Sequence, residues 1–79
     1  MEYDREKVDD AVLALLYLTT SEQYGAKRAW KGLAWEVLDR LHEKGFISNP
    51  KSKALSIVLS EEGAKRSAEL FGRLFGRSA

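Results

Sequence analysis

His42 is the only histidine of the chain, and Asp39 stands three residues before it, a spacing that sets both on one side of a helix turn. Such a pair suits proton transfer or the start of a metal site. A zinc site needs three or four ligands at restrained spacing, and the sequence has no second histidine and no cysteine. It also lacks a Gly-x-Ser-x-Gly elbow and a glycine-rich phosphate loop. These residues predict a non-enzymatic chain that carries no cofactor and no metal.

Binding is the remaining chemistry, and the basic residues are its first candidates. Between Gln23 and Ser60 there are seven Lys or Arg against Glu36, Asp39 and Glu43. Lys27, Arg28, Lys31, Arg40, Lys51 and Lys53 are placed to contact the phosphates of double-stranded DNA, with Arg40 near a base. The plainer reading makes Glu36 and Arg40 an i,i+4 pair and leaves the lysines as solubilising charge. A second candidate set is Trp35, Glu36, Asp39 and His42, an aromatic and acidic helix face suited to a protein partner. A third is Leu13, Tyr17, Phe71, Leu74 and Phe75, apolar side chains on the first and last helices that fit a homodimer interface, or else pack within one subunit.

These side chains need elements to hold them. Val8, Val12, Leu15 and Thr19 recur at helical spacing within Asp4 to Thr19, while Leu13 and Tyr17 lie opposite, so the first helix is apolar on both sides. Thr20 to Gly25 reads as a loop and Ala26 to Lys31 as a short second helix. Leu33 to Lys44 carries Leu33, Ala34, Val37, Leu38 and Leu41 on one face, and Gly45 follows as a helix stop. Phe46 to Ser48 and Lys53 to Leu59 form strands around the turn residues Asn49 to Ser52. Ser60 caps a last helix that runs to about Phe75, with Glu61 and Glu62 at its positive end.

Seventy-nine residues make a single domain spanning 1–79, at the small end of what one core can stabilise. No disulfide can staple it, so a second copy is the available support. The 44% hydrophobic and 32% charged shares are those of a folded chain. Five acids and two bases among the first ten residues are unlike a signal peptide, and the apolar run from Ala11 to Leu18 is too short for a bilayer. A cytoplasmic protein without membrane contact is expected.

The order helix, short helix, helix, hairpin, helix resembles a winged helix, which places the chain in a mainly helical α+β class. The stretch Leu38 to Ile47, followed by Val58-Leu59-Ser60-Glu61-Glu62-Gly63, looks like the part of MarR-like and PadR-like regulators where a recognition helix ends, the wing returns and the next helix begins. Over its whole length, including Glu2-Tyr3-Asp4, Ala29-Trp30-Lys31-Gly32 and Trp35 to Gly45, the chain is also similar to a family of short bacterial proteins of unknown function. The winged-helix resemblance implies that the third helix meets DNA. Its outer face, carrying Glu36, Asp39, Arg40 and Glu43, departs from that pattern, because three carboxylates oppose a phosphate backbone. Nucleic-acid contact is therefore expected from the wing and the second helix.

Overall fold

The structure, a computed structural model, describes residues 1–23, 26–30, 34–52 and 56–77. Its elements in chain order are α1 (Arg5–Thr19), β1 (Ser21–Gln23), β2 (Ala26–Trp30), α2 (Trp35–Glu43), β3 (Ser56–Val58) and α3 (Glu61–Phe75). The mainly helical α+β class is present, with three helices and short antiparallel strands in an order consistent with a winged-helix-like layout. No helix among the described residues is long and apolar enough to cross a membrane.

Local chemistry sets the helix ends. The Asp4 side chain accepts the Lys7 N–H at 3.1 Å and opens α1, and Ser60 accepts the Gly63 N–H at 2.9 Å to open α3. Beyond α2, Gly45 turns to φ 81, and the Gly45 and Phe46 amides bond back to the carbonyls of His42 and Leu41. That is a Schellman closure, and glycine adopts its left-handed angle without the Cβ penalty.

The second helix expected over 26–31 is corrected: residues 26–30 form β2, and Lys31 lies outside the described residues. β2 is the middle strand of an antiparallel sheet ordered β1-β2-β3, with Glu22 opposite Lys27 on one side and Arg28 opposite Val58 on the other. Ladder bonds from two neighbours, and burial of Ala29, outweigh the helix propensity of Ala26 to Ala29. The helix-turn-helix pair therefore lacks its first helix. The wing does form, for Ile47 bridges Leu59 and the Ser48 amide donates to the Val58 carbonyl at 2.8 Å.

The core gathers Leu13 and Leu16 of α1, Val37, Leu38 and Leu41 of α2, Ile57, Leu59 and Leu70. Each such side chain contributes about 1.5–3 kcal/mol by leaving water. Of the two apolar sides of α1, the one with Leu13 is buried, together with Asp9, Ala14 and Leu16; on the other, Val8 and Val12 pack half-buried against the core and Leu15 is 42% exposed. Ser67 Oγ fastens α3 to α1 by donating to the Leu13 carbonyl at 2.6 Å.

Candidate interaction surfaces

α2 carries the side chains expected to meet DNA or a partner, and its burial of Val37, Leu38 and Leu41 fixes which residues face outward. Arg40 is the exception to that expectation. Its guanidinium turns onto Asp9 of α1, with Nε donating to Oδ1 and Oδ2 at 2.9 Å each. Nη2 approaches Oδ1 at 2.7 Å as an ion contact without hydrogen-bond alignment. Lys44 completes the cluster, its Nζ donating to Asp9 Oδ2 at 3.0 Å and to Glu6 Oε2 at 2.9 Å.

Asp9 is 1% exposed. Burial pushes its carboxyl upward, but the hydrogen bonds and positive charges of Arg40 and Lys44 outweigh that and hold it below 3.8. Lys44 is also opposed by burial, and Glu6 and Asp9 raise it above 10.5 nonetheless. The hydrogen bond to Asp9 raises Arg40 in turn. The guanidinium expected near a base is thus paired with α1 rather than turned outward.

Withdrawal of Arg40 leaves the rest of α2 acidic. Glu36 and Glu43 are exposed, Asp39 is half-buried, and Trp35 keeps 54% of its surface open. Exposed His42 directs Nδ1 to the Ile47 carbonyl at 3.0 Å rather than to Asp39, which fixes the ring by the wing. Among the described residues, no three His, Cys, Asp or Glu side chains are grouped to hold a metal.

The other basic candidates are spread out. Lys27 is exposed on β2, and half-buried Arg28 donates from Nη1 to Ser56 Oγ at 3.1 Å. Lys51 is exposed at the wing turn, where its amide donates to Asn49 Oδ1 at 2.9 Å. Lys31 and Lys53 lie outside the described residues.

The apolar candidates on α1 and α3 behave differently from one another. Leu13 is 1% exposed and packed inside the subunit, so its expected place in a dimer interface is corrected. Tyr17, 50% exposed, stacks on half-buried Phe71 with centroids 5.0 Å apart, and Phe71 meets Phe75 at 5.6 Å. Phe75 and Leu74 remain 46% and 49% exposed, and Leu18 beside Tyr17 is 66% exposed. Three rings in series thus make one apolar strip across both helices.

A groove of about 370 Å³ indents that strip where α1 ends and α3 begins. Tyr17, Leu18, Leu59, Ala64 and Ala68 wall it, and Lys27 stands among them. Neither the groove nor the Asp9 cluster was foreseen from sequence. The signal for the cluster is the i,i+4 pair Arg40 and Lys44 on α2, which invites a buried acid opposite.

Residues 4–77 match a family model described as Domain of unknown function (DUF6429). The chain is 54% identical over 77 residues to the uncharacterized protein y4hR of Sinorhizobium fredii, an alignment covering 98% of this chain and 100% of that protein. No solved structure matches the chain.

Proposed function

The chain belongs to this family of unknown function, and we propose that it is a homodimeric protein-interaction module, without enzymatic activity and without DNA reading, built on a winged-helix-like scaffold. The observation that carries the reading is the strip Tyr17, Phe71 and Phe75 with Leu18 beside it, an apolar surface on the two terminal helices. Aromatic rings left in water on a small domain are what an interface buries. A protein of this size without disulfides gains by covering them.

The DNA reading is disfavoured on electrostatic grounds. Duplex binding draws its strength from neutralised phosphates. Arg40 is spent on Asp9, and the outer face of α2 is left with Glu36, Asp39 and Glu43. Among the described residues, Lys27 and Lys51 are the exposed members of the basic set, a small footprint.

Two measurements test the reading. Sedimentation across a concentration series is expected to find a dimer that Leu18→Glu weakens while leaving the circular dichroism of the folded subunit unchanged. Anisotropy of a labelled random duplex is expected to give no binding at low salt. Binding that weakens steeply with added salt and disappears in Lys27→Glu with Lys51→Glu overturns the proposal in favour of nucleic acid.

A further inference from the structure

Ala64, Ala68, Phe71 and Phe75 fall within an arc of about 60° on α3 at 100° per residue, so the groove and the exposed ring of Phe75 share one face of that helix. They lie at opposite ends of it. Ala64 walls the groove near the start, and Phe75 stands eleven residues on, about 16 Å at the helical rise. A face with a hole at one end and a knob at the other is self-complementary once a two-fold axis reverses its direction.

Resting on the homodimer reading, we propose that the groove between α1 and α3 receives Phe75 of a second copy, the two α3 helices crossing antiparallel so that each copy gives one ring and accepts one. A parallel pairing sets knob beside knob and fills neither groove. The antiparallel register centres near residue 70 and brings Ala68 of one copy opposite Gly72 of the other. Gly72 fits that place: it is exposed, and a Cβ there meets nothing within 4 Å inside the subunit. Its missing side chain serves no packing of its own chain and allows a neighbouring helix to come close.

The exposed rings and Leu18 supply part of the area that a second copy would cover. At roughly 200 Å² for a large side chain, the open parts of Tyr17, Leu18 and Phe75 come to about 300 Å² per subunit. A symmetric pair doubles this to about 600 Å², so contacts around the crossing must supply the rest of the roughly 1,000 Å² that a specific interface needs.

The sequence contains no cysteine, so introduced thiols report without background. Ala68→Cys mixed with Gly72→Cys is expected to give a covalent dimer on oxidation, while Gly72→Cys alone does not, because the two copies of that position stand too far apart for a disulfide. Gly72→Leu and Phe75→Glu are each expected to weaken dimerisation at least about 30-fold, the loss typical of a central contact, with circular dichroism unchanged in Gly72→Leu. A dimer that Leu18→Glu disrupts but Gly72→Leu does not, and that yields no link between positions 68 and 72, overturns this crossing and leaves the homodimer reading standing. A wild-type chain that stays monomeric overturns both.

Discussion

Arg40 and Asp9 are separated by 31 residues and joined in space, the Nε of one lying 2.9 Å from both carboxylate oxygens of the other. The contact fastens α2 to α1 from the core side, with Asp9 1% exposed and Arg40 22% exposed at the side chain. Removing one partner of a buried pair leaves the other without compensation, which typically costs more than the pair itself contributes. Asp9→Ala is expected to lower stability by about 3 kcal/mol, read as a shift in the urea midpoint with unchanged slope. A loss below about 1 kcal/mol would mean that water already screens the cluster.

The same carboxylate sets an acid limit. Its folded value lies below the ordinary 3.8, so its contribution is complete above 3.8 and fades as pH falls through the lower folded value. Stability profiles of wild type and Asp9→Asn are expected to run apart from neutral pH down to about 4 and to converge only in stronger acid. Lys44 acts in the opposite sense. Its value is raised above 10.5, so its share holds through neutral pH and is lost only as alkali exceeds that value. Convergence of the two profiles near pH 6 contradicts this assignment.

Gly63 lies where the first turn of α3 meets the chain leaving α2. A Cβ there would overlap the Phe46 carbonyl, which is held in place as acceptor of the Ser60 amide at 3.0 Å. Neither backbone can yield without opening the wing. Gly63→Ala is expected to cost about 2 kcal/mol or more by overpacking, despite the better helix propensity of alanine, and thermal melting reads it directly. A neutral or stabilising result would show that α3 can slide along the wing.

Ser67→Ala removes the hydroxyl that donates to the Leu13 carbonyl at 2.6 Å between the two terminal helices. The carbonyl keeps a bonding partner within α1, so the expected loss is about 1 kcal/mol, the net value of one intramolecular hydrogen bond. The amide of Tyr17 should also exchange with solvent no faster than its helical neighbours.

Residues that end helices were easiest to read in advance. Gly45 and Ser60 act through local geometry and a local hydrogen bond, which sequence specifies directly, and both stand where expected. β2 was misread because Ala26 to Trp30 is decided by partners: its amides and carbonyls bond to chain segments before and after it, and those pairings leave no local periodicity. The more deeply buried side of α1 is not legible for a related reason. With apolar residues almost all round, hydropathy gives no preferred face, and an aspartate at position 9 looks like solvent until Arg40 and Lys44 arrive to neutralise it. The outer face of α2 is hard to read for the same reason, since the direction Arg40 takes depends on that unseen acid. The aromatic candidates Tyr17, Phe71 and Phe75 were legible as a group, and only Leu13 belonged inside.

The bond from Ser67 to Leu13 spans 54 residues, so the first helix made during synthesis is completed by the last. Until α3 is free, a growing chain offers Leu13, Ala14 and Leu16 to the solvent without the partner that covers them. Closing so long a loop costs more chain entropy than forming either helix alone, so the contact between α1 and α3 is expected to form late in folding. Loss of the fifteen residues of α3 would then remove no mere appendage. It would turn the whole product into a target for chaperones and proteases.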